Sequence, residues 1–221
     1  MLFLFDTKSL EQFRDKHRNE RCLIIATGPS LNKTNLSLFQ GEVLFGVNSC
    51  YNLDLSFSYY CVLDGKVWDN RGQQIIDLVE RQGIPLFLTH NCVSDYRSPN
   101  LHVVRRRGYM QESGFGDITR GIYRGDTVTI MCLQIAYFMG FSEVYLFGCD
   151  CTYRGKHHFD GTPVDNVLRM DWSPVFGYYQ MCKELFEADG RKIYNATEGG
   201  ELEVFERKTP VQTKTHPGHR A

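Results

Sequence analysis

The chain has 221 residues, 42% hydrophobic and 13% aromatic, enough to bury the core of one large α/β domain. Its 25 basic and 26 acidic residues give a formal charge of -1, without the basic excess of a nucleic-acid-binding domain, so nucleic acid is set aside as a partner. No run approaches the roughly 20 apolar residues of a spanning helix, and "MLFLF" meets Asp6 too soon for a secretory signal, so the reading is a cytoplasmic protein without a transmembrane segment.

In chain order, the first strand is "CLIIA" (22–26), a continuous apolar run that stops on Thr27, Gly28, Pro29 and Ser30. "VLFGV" (43–47) and "YYCVL" (59–63) follow, then a helix over 69–82 closed by Gly83. "PLFLT" (85–89) and "LHVV" (101–104) are the next strands. Residues 105–125 are polar, glycine-rich and aromatic, and read as a long active-site loop. A helix over 126–139 takes Asp126 as N-cap and ends at Gly140, ahead of the strand "EVYLFG" (143–148). A second long loop covers 151–170, a helix covers 171–188, and "KIYNA" (192–196) is the last strand. Apolar runs that are continuous rather than alternating mark strands buried on both faces. Their alternation with helices predicts a Rossmann-like, doubly wound, mostly parallel α/β sheet in one domain over 1–205, with a C-terminal tail over 206–221.

None of the eight cysteines forms a CxxC pair, and Cys22, Cys61 and Cys132 lie inside apolar runs, which reads as reduced, buried thiols. A zinc set built from Cys149, Cys151, His157 and His158 would have unusual spacing.

Ligands of an open parallel sheet bind beyond the carboxyl ends of its strands. The residues there are Thr27, Gly28, Pro29 and Ser30 after the first strand, Asn48 and Ser49 after the second, and Asp64 after the third. Asp150 and the His157-His158 loop follow the strand at 143–148. Gly28 permits close backbone approach, Pro29 suits a first helical position, and the Ser30 amide and hydroxyl would face an anion at a helix N-terminus. The alternative is that Gly28-Pro29 only punctuates the strand end. His157 and His158 are candidate general bases because imidazole titrates near neutral pH. Adjacent residues of an extended loop point apart, and His158, beside Asp160, is the favoured one. Asp64 and Asp150 are a carboxylate pair suited to Mg²⁺ against a diphosphate, or else two residues that cap turns. Arg105, Arg106, Arg107, Arg120 and Arg124 either clamp phosphates or form a solvated basic face. Trp68, Trp172, Tyr178 and Tyr179 either stack on a ring of the substrate or belong to the core.

The blocks "IIATGPSLN", "LFGVN", "GFSEVYLFGCD" with its histidine loop, and "IYNATEGGELEVF" occur in that order across residues 21–205. Together they resemble the MptE-like family, which includes archaeal 6-hydroxymethylpterin diphosphokinases and flagellin-glycosylation proteins. They are also similar to the bacterial sialyltransferases that decorate lipooligosaccharide. The resemblance implies a nucleotide whose phosphates lie over Gly28, Pro29 and Ser30, with Asn48 on its ribose or phosphate. It places Gly125, Asp126 and Thr127 against the sugar or base at the start of their helix. The chain departs from the sialyltransferases in carrying Thr27 where they have asparagine, and Thr152 and Tyr153 where they place tyrosines after the aspartate.

The expected function is therefore a glycosyltransferase-like enzyme that moves a sugar from a nucleotide-activated donor to a glycan or glycoprotein acceptor, in surface polysaccharide synthesis. His158 would activate the acceptor hydroxyl. The runner-up is a diphosphokinase moving diphosphate from ATP to a pterin-like alcohol, with Mg²⁺ on Asp64 and Asp150. A third reading, from another class, is a non-catalytic nucleotide-binding module. No cofactor beyond that Mg²⁺ is implied. The partners are a nucleotide or nucleotide sugar and a glycan or small-molecule acceptor, with peripheral membrane contact and self-association left open.

Overall fold

A computed structural model describes residues 7–92, 95–110, 115–152, 158–161 and 171–211. Its strands are β1 (Arg21–Ile25), β2 (Val43–Val47), β3 (Tyr59–Val62), β4 (Leu86–Thr89), β5 (Leu101–Val104), β6 (Arg106–Tyr109), β7 (Ile122–Arg124), β8 (Glu143–Phe147), β9 (Lys192–Asn195) and β10 (Glu206–Arg207). The helices are α1 (Thr7–Glu11), α2 (Gly65–Gln82), α3 (Val128–Phe138) and α4 (Ser173–Ala188). Among the described residues, no helix is long and apolar enough to cross a membrane.

The main sheet runs β10-β9-β8-β1-β2-β3-β4-β5, and every pairing in it is parallel. This is the Rossmann-like α/β sheet read from the sequence. Its strands are apolar throughout because helices cover both faces: Leu23, Ile24, Ile25, Phe45, Tyr60 and Leu146 are all essentially inaccessible. Each such side chain contributes roughly 1.5–3 kcal/mol by leaving water. The chain steps outward from β1 to β5, then crosses back to place β8 on the other side of β1. The strand order reverses between β1 and β8, and the crevice beyond their carboxyl ends is where this topology opens a site.

The helices bury the stripes their spacing dictates. Trp68, Gly72, Ile75, Leu78 and Val79 form the inward face of α2, and Val175, Tyr179, Cys182 and Phe186 that of α4. α3 is apolar almost all round, with Ile130, Met131, Cys132, Leu133, Ile135 and Ala136 buried. Three starts differ from the sequence reading. α2 begins at Gly65 because the Asp64 carboxylate accepts the Lys66 amide at 2.9 Å, and α4 begins at Ser173. Thr127, not Asp126, caps α3: its hydroxyl accepts the Ile130 amide at 3.3 Å. Asp126 stands one residue outside, at φ 58°, paired with Arg124 at 2.5 Å.

Two segments read as loop or tail carry structure. In 105–125, β6 and β7 pair in parallel while Ile118, Ile122 and Tyr123 are buried, so part of that segment is packed rather than open. Its polar sequence misleads because the arginines lie on aromatic faces: Arg107 stands 4.4 Å over the Tyr123 ring and Arg124 4.8 Å over Tyr109. Glu206–Arg207, assigned to the tail, pairs with β9. Arg207 also donates to the carbonyls of Thr197 at 2.9 Å and Gly199 at 2.8 Å, tying the chain after β9. All eight cysteines are buried and free.

Candidate functional site at the strand-order reversal

The turn after β1 is a closed local structure. Pro29–Lys33 forms a short 3-10 turn with Pro29 at its start. The Asp150 carboxylate, arriving from the end of β8, accepts the Ser30 amide at 3.2 Å and the Ser30 hydroxyl at 2.7 Å. The anion that the turn faces is thus supplied by the protein. A Cβ on Gly28 would lie 1.8 Å from Asp150 Oδ2 and 2.4 Å from the Gly148 carbonyl, so glycine is required there by the approach of Asp150, not of a ligand. In this geometry the Ser30 amide and hydroxyl are both engaged by Asp150, which ties the turn after β1 to the end of β8.

Beyond these ends lies a cavity of about 670 Å³, large enough for a nucleotide-sized ligand. Of the residues singled out from sequence, Thr27, Gly28, Asn48, Ser49, Asp64, Asp126, Thr127, Asp150 and His158 line it. Pro29, Ser30 and Gly125 do not, and His157 lies outside the described residues. Trp172 and Tyr179 are on the wall, whereas Trp68 belongs to the core, and Tyr178 stacks on Tyr109 away from the cavity. None of Arg105, Arg106, Arg107, Arg120 and Arg124 reaches it.

Strain collects at this wall. Asn48, Asp126 and Cys151 adopt positive φ of 47°, 58° and 48°, and all three line the cavity. Non-glycine residues held there cost on the order of 1–3 kcal/mol each and persist where surrounding structure enforces them. The Asn48 carbonyl is held by the Tyr60 hydroxyl at 2.8 Å, from a buried ring on β3. Its side-chain Oδ1 is buried with no hydrogen-bond partner among the described residues. An orphaned acceptor of that kind costs roughly 1–3 kcal/mol, which a ligand donor would recover.

His158 enters through its own docking contacts. Its Nδ1 is 3.0 Å from the Thr27 hydroxyl, the next amide, of Phe159, donates to the Thr27 carbonyl at 2.9 Å, and Asn32 Nδ2 donates to the Phe159 carbonyl at 2.9 Å. The ring is oriented by Thr27, while the neighbouring Asp160 carboxylate accepts from Asn52 at 3.3 Å. Among the described residues Nε2 has no partner, which leaves it for a ligand. Burial pushes the Cys151 thiol up to about 12 and raises the Cys149 thiol and Tyr179 phenol well above their ordinary values. These three groups stay protonated near neutral pH and offer no thiolate nucleophile.

Lys66, Asn70 and Arg71 also line the cavity, from the first turns of α2, and the sequence reading passed over them. The signal was present: Lys66/Asn70 and Val67/Arg71 are successive i, i+4 pairs directly after the Asp64 strand end. Of the two carboxylates read as a Mg²⁺ pair, Asp64 caps α2 through one oxygen and Asp150 accepts from Ser30. Among the described residues no three His, Cys, Asp or Glu side chains converge as metal ligands.

The family model described as 6-hydroxymethylpterin diphosphokinase MptE-like matches residues 3–156. No curated protein matches the chain. The solved structures that share its fold include two sialyltransferase complexes. One is the sialyltransferase CST-II in complex with a trisaccharide acceptor and CMP, at TM-score 0.58 and 15% identity, covering 89% of each chain. The other is CstII of Campylobacter jejuni with a substrate analogue, at TM-score 0.53 and 14% identity, covering 86% of each chain.

Proposed function

The chain belongs to the MptE-like family, and from that premise we propose that it transfers a sugar from a nucleotide-activated donor to a hydroxyl of a glycan or glycoprotein acceptor. The observation that carries the reading is His158 at the cavity wall with Nδ1 against Thr27 and with no partner for Nε2 among the described residues. When the neutral ring keeps its proton on Nδ1 and donates it to Thr27 Oγ1, Nε2 is a base. In the transfer, the acceptor oxygen bonds to the anomeric carbon and its proton passes to Nε2. The bond from that carbon to the phosphate oxygen breaks, and its electron pair leaves with the nucleotide. Asn48 Oδ1 takes a donor from the nucleotide, which satisfies its buried acceptor. The fold shared with a sialyltransferase bound to CMP and a trisaccharide supports this choice of substrates.

The second reading is the diphosphokinase of the family's description, favoured by the match over 3–156. It needs a divalent cation on the ATP phosphates, and the engagement of Asp64 and Asp150 weighs against it. Thermal unfolding with nucleotides and nucleotide sugars, with Mg²⁺ or EDTA, separates the two. A ligand at 100-fold over its dissociation constant adds about 2.7 kcal/mol, a rise of roughly 5–10 °C for a domain of this size. A nucleotide-sugar response that EDTA does not remove supports sugar transfer, and a response to ATP only with Mg²⁺ supports the second reading.

A further inference from the structure

The groups lining the cavity are unequally satisfied. Each of its three carboxylates already has a donor on the protein: the Lys66 amide for Asp64, Arg124 for Asp126, and the Ser30 amide and hydroxyl for Asp150. The two cations of the wall, Lys66 and Arg71, have no acceptor among the described residues. The turn after β1, where a phosphate would conventionally rest, is closed by the Asp150 carboxylate, and an anion placed over it would meet like charge. The lysine and arginine of the cavity wall without an acceptor therefore both lie on one side, α2.

We infer that the phosphate of the bound nucleotide seats against the first turns of α2, on Lys66 and Arg71, rather than over Gly28, Pro29 and Ser30. This assignment rests on the nucleotide-binding reading above and says where in that site the charge is held. The seat is firm because α2 is anchored beneath it by Trp68, Gly72 and Ile75. Arg71 offers a planar fork for two phosphate oxygens, Lys66 a point charge, and Asn70 a neutral amide on the same wall. The acids nearest in sequence to these cations are Asp64, whose bond to the Lys66 amide keeps it as a helix cap, and Asp69, which is not among the residues lining the cavity. In sugar transfer the same cations face the charge that appears on the leaving phosphate.

The test is equilibrium binding of nucleoside mono- and diphosphates of the four common bases to the full chain. Lys66→Ala and Arg71→Ala are compared with wild type and with Arg105→Ala, a cation outside the cavity. We expect each cavity variant to weaken the tightest nucleotide by about 5- to 30-fold, with melting temperature unchanged and a shallower loss of affinity with added salt. Arg105→Ala should bind as wild type. Binding within about twofold of wild type in either cavity variant, or an equal loss in Arg105→Ala, overturns the α2 seat while leaving the nucleotide reading standing. Failure of the wild-type chain to bind any nucleotide overturns that reading itself, and the seat with it.

Discussion

Asp150→Ala is the perturbation that separates structure from chemistry at this site. Asp150 is 8% exposed, and its carboxylate accepts two hydrogen bonds from Ser30, at 3.2 Å from the amide and 2.7 Å from the hydroxyl. Hydrogen bonds to a charged acceptor contribute roughly 1.5–3 kcal/mol each, and removing the acceptor strands two donors of the turn. The cavity admits water to part of this surface, so the expected loss is about 2–4 kcal/mol in total. For a domain of this size that corresponds to a fall in melting temperature of roughly 4–16 °C. Asp150→Asn keeps one acceptor but turns an NH₂ group toward a donor, and should lose about half as much. Differential scanning calorimetry on the three chains reads these values directly. A melting temperature within about 2 °C of wild type in Asp150→Ala would refute the structural role, above all if turnover were lost at the same time.

The Gly28→Ala variant places a Cβ 1.8 Å from Asp150 Oδ2 and should cost more than about 2 kcal/mol in urea unfolding. Combining it with Asp150→Ala should recover only part of that, since the Gly148 carbonyl at 2.4 Å remains; full additivity of the two losses would deny the contact. Thr27→Val removes the hydroxyl beside His158 Nδ1, and kcat should fall about 3- to 10-fold with KM little changed and the pH profile displaced, whereas a KM change alone would make Thr27 a simple binding residue. At alkaline pH the fold should weaken, because burial pushes the Cys50 and Cys151 thiols up to about 12 from 9.0, and the Tyr59 phenol up to about 12 from 10.0. The unfolded chain releases these protons first, so stability is full below about pH 9 and is lost as pH rises toward about 12, by up to about 1.4 kcal/mol per pH unit for a buried thiol. A urea midpoint that stays level from about pH 8 to about pH 10.5 would contradict that burial.

The sheet was legible in the sequence because parallel strands covered on both faces leave continuous apolar runs, as in "CLIIA" and "EVYLFG". The helix terminators were equally plain, with Gly83 at positive φ after α2. Positions one or two residues from a helix start were not: Asp126 and Thr127 are both good N-caps, and the local Arg124–Asp126 pair accompanies the choice of Thr127. The edge of the site was readable from strand ends, which is how Asn48, Asp64 and His158 were found. What the sequence could not show is which polar groups satisfy one another across the fold. Ser30 and Asp150 are 120 residues apart, and their bond clasps the turn after β1 to the end of β8. Lys66 and Arg71 were passed over although their spacing after the Asp64 strand end was readable, because only the fold shows that this spacing faces the cavity.

The central claim is that the cavity between the ends of β1 and β8 transfers a sugar with His158 as base, and product release measures it. Purified chain incubated with nucleotide sugars and an acceptor glycan, in EDTA, should release the free nucleotide together with glycosylated acceptor, both monitored by chromatography. His158→Ala should lower that release by about 100-fold or more while leaving nucleotide binding within about threefold. AMP formed from ATP and a pterin-like alcohol, dependent on Mg²⁺ and indifferent to His158→Ala, is the result that would contradict the account.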